Sequence, residues 1–478
     1  MTLDQLLPGA PNVDIKGLTA DSRKVAPGFL FAALKGVAAD GRDYIPQAME
    51  AGAAAILTDE RQGAWEVPAI KHAEPRLALA QTAAAFYGAQ PDTMAAVTGT
   101  NGKSSTVDFL RQIWTACGRE AASLGTLGAV GPMGAVDLGH TTPDPVAIHS
   151  TLATLANEGV THGAMEASSH GLAQYRLHGV KLAAAAFTNL TQDHLDYHPT
   201  FEDYREAKLK LFTELLAPGA PAVINADSPE KSAFEDAADA AGLKRFSVGW
   251  RGGDLKLAEL TPRATGQDLR LHWAGQEHDV YLPLIGEFQA LNALCAAGLA
   301  LALGEPADKV FDGLSSLVGV KGRLELVGET REGAGVFVDY AHTPDGLDTL
   351  LRAARPHAAG RLICVFGCGG DRDPFKRPMM GKVAADLADE VIVTDDNPRS
   401  EDPAEIRAAI LAAAPGAQEI ADRGAAILEG VKRLRSGDAL MIAGKGHETG
   451  QIVQGETIPF SDHEAALAAL RDMEAANG

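Results

Sequence analysis

Residues 95–107, AAVTGTNGKSSTV, run from small apolar residues through a glycine-bracketed turn into a Lys-Ser pair and then a helical pattern. Backbone N–H groups from Gly99 to Ser104 can face an anion there, and a helix N-terminus adds positive potential. Lys103 supplies a mobile charge and Ser104 can reach a magnesium ion, so the residues point to a nucleotide phosphate site of the kind that holds ATP. The full GxxxxGK[ST] pattern fails at Val97, which stands where the first glycine belongs. The loop is therefore a shortened variant. The plainer alternative is a glycine-rich turn that only joins strand to helix. Val107, Leu110, Ile113 and Trp114 fall on one face of the helix that follows, which should stop near Gly118.

Short apolar runs such as FLFAAL and AAAILTDE, separated by glycine turns, read as a small α/β unit over residues 1–88, closed by the helical stretch LALAQTAAAFYGAQP. GAMEAS, AAAAFTNL and APAVINAD are strand-like and alternate with helical patterns. That predicts a central, mostly parallel sheet domain of the phosphate-loop type over 89–319. FVDYAHTP, RLICVFGCGGDRD, EVIVTDDNPR and ALMIAGKGHE then give four apolar strands, each ending in a chemically loaded loop. They predict a Rossmann-like, doubly wound domain over 320–478, with ligands at the carboxyl ends of its strands. The class is α/β in three domains.

Bulk composition fits an enzyme of that build. The chain has 478 residues, 46% hydrophobic and 22% charged, which excludes the composition of disordered chains. A net charge of −21 repels nucleic acid and anionic membrane, so a phosphate-bearing ligand must be met by local basic groups. Cys117, Cys295, Cys364 and Cys368 are too scattered for a disulfide framework or a paired zinc motif. The N-terminus lacks a basic start followed by an apolar core, and no apolar run is long enough to span a bilayer, so a cytoplasmic chain without membrane insertion is expected.

Two motifs lead nowhere. GCGGDRD would need a glycine at Arg372 to be a dinucleotide fingerprint, and His194 and His198 in HLDYH lack the glutamate of a zinc hydrolase, since Leu195 follows the first histidine. Taken together, VTGTNGKSST, MEASSHGL, TNLTQDHLDYH, GEFQALNAL, GRLE, VDYAHTP, DNPR and GKGHE occur in one order. The chain thereby resembles the Mur ligase family of bacterial wall synthesis, and the match runs from DSR at Asp21 to GKGHE.

The resemblance implies ATP-driven amide bond formation. It points to meso-diaminopimelate joining the D-glutamate of UDP-N-acetylmuramoyl-L-alanyl-D-glutamate. The chemistry agrees: a carboxylate is a poor electrophile, and phosphorylation to an acyl phosphate activates it. Charge building up near the phosphate loop calls for metal and basic groups. The resemblance makes Lys103, Glu166, His194 and Lys208 the catalytic set, with Ser104, Glu166, His194 and Lys208 holding two magnesium ions. By position alone Glu166 could be a solvated loop acid and His194 a packed or surface histidine. Lys208 falls with Phe201, Tyr204 and Leu211 on one face of a helix that starts after Thr200, with Asp203 completing a capping box. Desolvation lowers a lysine's pKa, and a neutral amine can add carbon dioxide to become a metal-binding carbamate. The alternative from periodicity is a stem that snorkels to water. The resemblance makes Lys208 the carbamylated lysine.

For ATP, the resemblance adds Ser105 to the loop and assigns Asn292 to the adenine side, with Arg323, Asp339 and His342 toward phosphate and ribose. On their own, Arg323 beside Glu325 reads as a surface ion pair and Asn292 as a helix cross-link. The nucleotide-sugar substrate is expected at Ser22, Val37, Ala38, Ala39, His140, Thr141, Thr142, Ser168, Gln174 and Arg176. Arg176 could hold a carboxylate or a pyrophosphate, unless it is simply an arginine on a surface helix. His140 and Ser105 depart from the commoner asparagine and threonine. DNPR is expected to choose the amino acid. Diaminopimelate differs from lysine by a second carboxylate, and a guanidinium meets that group with two parallel bonds, so Arg399 and then Arg372 fit the demand. Asp396, Asn397, Pro398, Gly444 and Glu448 complete that site. DNPR alone could also be a turn.

Sibling ligases that add lysine, alanyl-alanine or glutamate to folate lie nearest among the alternatives. A nucleotide-gated switch without ligase chemistry and a Rossmann dehydrogenase stand further off. A monomer is expected.

Overall fold

Alternating apolar strands and helices in the sequence become three parallel-sheet systems. The computed structural model describes residues 1–36, 39–59, 65–191 and 197–476. The chain divides into two compact units, Met1–Gly253 with Cys295–Val310, and Asp254–Leu294 with Phe311–Gly478.

The first unit opens with β1 (Gly17–Thr19), β2 (Phe29–Ala32), β3 (Ala55–Thr58) and β4 (Ala69–Lys71), parallel in that order. Leu79 and Ala83 of the helix Pro75–Tyr87 pack on them, and Gly88 ends that helix at φ 70°. Its larger sheet contains β5 (Thr93–Thr98), β6 (Ala121–Gly125), β7 (Gly128–Gly131), β8 (Gly134–Val136), β9 (His162–Glu166), β10 (Leu182–Phe187), β11 (Pro221–Asn225) and β12 (Lys244–Gly249). The order is β12-β11-β10-β5-β9-β6-β7-β8, parallel except for the antiparallel β7 and β8. The chain leaves β5 for one side and returns to the other, so β5 marks the topological switch. Its carboxyl end, beside those of β9 and β10, is where a ligand is favoured. Small residues Ala95 and Ala96 let helices close on β5, and Phe109, Leu110, Ile113 and Trp114 of the helix Lys103–Ala116 are all buried.

In the second unit, β13 (Leu255–Arg263), β14 (Gly266–Trp273) and β15 (Gln276–Leu282) form an antiparallel meander. Its sheet is β16 (Glu325–Glu329), β17 (Gly335–Asp339), β18 (Leu362–Phe366), β19 (Glu390–Val393), β20 (Gln418–Glu419) and β21 (Ala439–Ala443), in the order β16-β17-β21-β18-β19-β20. All neighbours are parallel except β16 with β17. A separate hairpin joins β22 (Gly450–Val453) to β23 (Glu456–Pro459). The four strands expected from apolar runs are β17, β18, β19 and β21, and their loops share one edge.

The meander and the small hairpin are absent from the expected pattern. Their turns explain this: Ala274-Gly275 and Gln454-Gly455 put alanine and glutamine at φ 50° where Asn-Gly or Asp-Gly usually signals a hairpin.

Candidate functional site

The phosphate loop follows β5 and ends in a helix whose N-cap, Gly102, is left-handed at φ 84°. Gly99, at φ 151°, admits no side chain: a Cβ there would meet Thr188 Oγ1 at 2.0 Å. The loop is cross-braced by the strand beside it. Thr100 N–H donates to Asn189 O at 2.8 Å and Asn101 N–H to Asn189 Oδ1 at 3.0 Å, while Thr188 Oγ1 donates to Asn101 O at 2.6 Å. Of the amides from Gly99 to Ser104 that were expected to be able to face an anion, those of Thr100 and Asn101 are held by Asn189. The first-turn amides of the helix from Lys103 remain the better anion donors. Lys103 Nζ lies over the same loop, donating to Gly99 O at 3.0 Å and Thr100 O at 2.9 Å.

Glu166 is the last residue of β9, opposite Val97 in register, and only 2% exposed. Its Oε1 accepts from Ser104 Oγ at 2.8 Å and Thr126 N at 2.7 Å. Ser105 is buried one position further along the helix. Lys208, on the helix Phe201–Thr213, is 1% exposed, so the snorkelling alternative fails. Its Nζ donates to Gly99 O at 2.8 Å and lies 4.5 Å from the Tyr204 ring centre. At the start of that helix Thr200 Oγ1 accepts from Asp203 N at 3.1 Å, but the Asp203 carboxylate binds the Thr200 hydroxyl at 2.8 Å instead of its backbone amide. Aspartate is a methylene shorter than the glutamate of a full capping box. His194 lies outside the described residues, as do Val37 and Ala38. His198 is buried among the rings of His170, Tyr197 and Tyr204.

Beside Glu166 a polar group gathers. Thr142 Oγ1 donates to Glu166 O at 2.9 Å and accepts from Ser168 N at 3.1 Å; Ser168 Oγ in turn caps the short helix Ser169–Ala173. Thr141 Oγ1 lies 3.0 Å from Thr126 Oγ1. Arg176 donates to Thr142 O at 2.6 Å and Gln174 Oε1 at 2.9 Å, and it sits in the turn after that helix, not on a surface helix. His140 is exposed. No hydrogen bond joins Ser22, in a turn capped by Asp21, or Ala39 to this group among the described residues.

The second unit gathers two further groups. Asn292 Nδ2 donates to Gln289 Oε1 at 3.2 Å, and Gln289 Nε2 donates to Arg323 O at 3.3 Å. The Arg323 guanidinium sits 5.1 Å from the centre of the Tyr340 ring rather than in an ion pair with Glu325. Asp339, at the end of β17, accepts from Leu324 N and Ala341 N, each at 2.7 Å. Burial raises its pKa, with those amides, Arg323 and His342 opposing. His342 Nδ1 donates to Tyr340 O at 2.9 Å.

The DNPR and GKGHE loops meet at Lys445. This wholly buried lysine donates to Asn397 Oδ1 and Glu448 Oε2, each at 3.0 Å, while Asn397 Nδ2 donates to Glu448 Oε2 at 2.9 Å. Gly444 is at φ 119°, and a Cβ on it would sit 2.6 Å from Asp396 Oδ2. Arg399, itself at φ 54°, donates Nη1 to Gly370 O at 2.7 Å, with Pro398 packed where a Cβ on Gly370 would come within 2.0 Å of its carbonyl. The glycines of GCGG are thus required by the close approach of DNPR, which is why they mimic a dinucleotide loop. Arg372, in that loop, is exposed and, among the described residues, donates only to Asp371 O at 3.2 Å.

Three matches to known families run along the chain: residues 14–87 match the Mur ligase family, catalytic domain, residues 97–300 the Mur ligase middle domain, and residues 322–446 the Mur ligase, glutamate ligase domain. The chain belongs to the Mur ligase family. A UDP-N-acetylmuramoyl-L-alanyl-D-glutamate--2,6-diaminopimelate ligase from Agrobacterium fabrum is 54% identical over 463 residues, 97% of this chain and 94% of that one. A protein of the same name from Caulobacter vibrioides is 54% identical over 477 residues, 98% of each. A solved structure of a ligase so named is 31% identical with a TM-score of 0.79, and covers 99% of both chains. Among the described residues, no helix of this Mur ligase is long and apolar enough to cross a membrane.

Several residues of the sites escaped sequence reading. Thr188 and Asn189 lie in the quoted string TNLTQDHLDYH, Gln289 in GEFQALNAL, and Lys445 in GKGHE, so their motifs were visible. What was missing was the pairing: nothing in sequence tells that Asn189 braces a loop some ninety positions earlier.

Proposed function

We propose that this Mur ligase adds meso-diaminopimelate to the D-glutamate of UDP-N-acetylmuramoyl-L-alanyl-D-glutamate, driven by ATP through an acyl phosphate, in cytoplasmic wall-precursor synthesis. The observation that bears most weight is the 54% identity, along 97% of the chain, to a relative named for that reaction. The geometry supports it from each end. In the first unit, Lys103 and the helix amides offer positive charge to phosphates, and Arg176 offers a guanidinium to the nucleotide-linked acceptor. Ser104 Oγ and the buried Glu166 carboxylate form a pair of hard oxygen donors at the end of the phosphate loop, a donor set that suits magnesium. His194 and a carbamylated Lys208 would complete the set for a second ion. When bound, magnesium neutralises charge on the transferring phosphoryl group.

In the second unit, Asn292, Arg323, Asp339 and His342 are positioned for the adenosine and phosphate side of ATP. Arg399 receives the far carboxylate of diaminopimelate, with Arg372 beside it. Asp396, Asn397 and Glu448 receive its ammonium. The amine then displaces phosphate from the activated acceptor and the amide forms. Phosphate release measured with each component left out in turn tests the reading. It should require ATP, the UDP-muramoyl dipeptide and diaminopimelate together; equal release without acceptor or amine would mark a nucleotide switch instead.

A further inference from the structure

The first unit contains two partly buried arginines that no carboxylate pairs. Arg76, in the first turn of the helix Pro75–Tyr87, donates Nη2 to Lys35 O at 2.6 Å and Nη1 to Gln174 Oε1 at 3.5 Å. Arg176 donates to that same Gln174 Oε1 at 2.9 Å. Among the described residues neither guanidinium has an ion-pair partner. Burial is the main influence disfavouring the charge of Arg176; Arg76 adds to it, and Asp144 opposes it from longer range.

Elsewhere the chain pairs buried or half-buried arginines: Arg361 with Asp438, Arg377 with Glu401, Arg407 with Asp395, Arg423 with Asp462. Among the described residues, those left without a carboxylate include Arg323 and Arg399, placed above toward ATP and the amino acid. Arg76 is in the same condition and has no role. Two like charges converging on one neutral amide oxygen repel each other, and an anion between them would reverse that cost. The position also fits a ligand. Lys35 O lies on the exit from β2, on the short turn in which Gly36 N–H donates to Ala39 O at 2.9 Å, while Gln174 and Arg176 lie beside Thr142. Arg76 therefore links the two groups of residues expected to hold the nucleotide-linked substrate. A single carboxylate satisfies one guanidinium fork, whereas adjacent phosphates present enough oxygens for two.

We propose that Arg76 is a further substrate-binding residue, forming with Arg176 a two-guanidinium clamp on the diphosphate of the nucleotide-linked substrate. This rests on the reading that such a substrate is used. Calorimetric titration of wild type, Arg76→Met and Arg76→Lys with UDP and with uridine tests it. Wild type should bind UDP more tightly than uridine. Arg76→Met should weaken UDP about tenfold to a hundredfold, the worth of a charge-assisted pair, with uridine unchanged and Arg76→Lys intermediate. Equal loss for uridine, no loss for UDP, or no preference for UDP in wild type overturns the clamp. So does a loss confined to the UDP-muramoyl dipeptide, which would put a peptide carboxylate at Arg76. If thermal melting shows that Arg76→Met does not fold, the comparison of Arg76→Lys with wild type decides on the same terms. Amide formation by wild type is scored separately: an enzyme that binds UDP through Arg76 yet makes no amide refutes the functional reading and leaves the clamp standing.

Discussion

Lys208 sits within hydrogen-bond reach of the phosphate loop, at Gly99 O, and its Nζ lies over the ring of Tyr204, one turn earlier on the same helix. Lys208→Ala is expected to lose more than about a hundredfold in turnover, and added bicarbonate should not restore it, because the variant has no side-chain amine to take up carbon dioxide. Near-normal turnover by that variant would refute its role. In the other unit Lys445 ties Asn397 to Glu448. Lys445→Met removes a buried donor from both, so the KM for diaminopimelate should rise about tenfold or more, with kcat and the KM for ATP little changed. A uniform loss across all substrates would instead indicate a role in folding alone. Among the described residues Arg399 meets no carboxylate, and on the proposed function lysine in place of diaminopimelate would leave it without one from the substrate. That costs on the order of 1 to 3 kcal/mol, a tenfold to several hundredfold preference in kcat/KM. Equal use of the two amino acids would contradict the assignment. Lys208 and Arg399 were legible in sequence, the first as a charge in an apolar stripe and the second as the guanidinium of the DNPR motif, whereas Lys445 was not singled out. The partners of these side chains were not legible, since the hydrogen bond between Lys445 and Asn397 joins loops that follow β21 and β19, two strands separated in the sheet by β18.

At the scale of elements, the loops that follow parallel strands do the positioning, and glycines decide how closely they approach. Gly370→Ala would drive a Cβ into Pro398 O, so the DNPR loop must shift. The expected result is a stability loss of about 1 to 3 kcal/mol and a raised KM for the amino acid, read by thermal melting and steady-state kinetics. Wild-type values for both would show that the contact relaxes without effect. Strands β5, β9, β17, β18, β19 and β21 were readable as apolar runs because a parallel sheet buries both faces. The meander β13 to β15 was passed over although buried Leu255 and Leu257, and Leu269 and Leu271, alternate with exposed Lys256 and Arg270; its Ala274-Gly275 turn lacks the residues that usually mark a hairpin.

Across the whole molecule, His149, His162, His178, His357 and His447 are all held below the ordinary 6.5, each chiefly by burial. His357 shows why: Nε2 accepts from Gly286 N at 2.9 Å and Nδ1 donates to Arg263 O at 2.7 Å, so an added proton would break the first bond. Between the depressed folded values and 6.5 the unfolded chain binds more protons than the folded one, and stability therefore increases with pH. The contribution is complete above 6.5 and is lost as pH falls through that value toward the folded pKa values. Melting temperature should fall on going from about pH 8 to about pH 5.5; a flat or rising profile would contradict this.

The central claim is that the acceptor carboxylate is phosphorylated before the amine attacks. With the acceptor's D-glutamate carboxylate labelled with heavy oxygen, one labelled oxygen should be found in the phosphate released per amide formed. Phosphate that carries no label while amide accumulates would contradict the account.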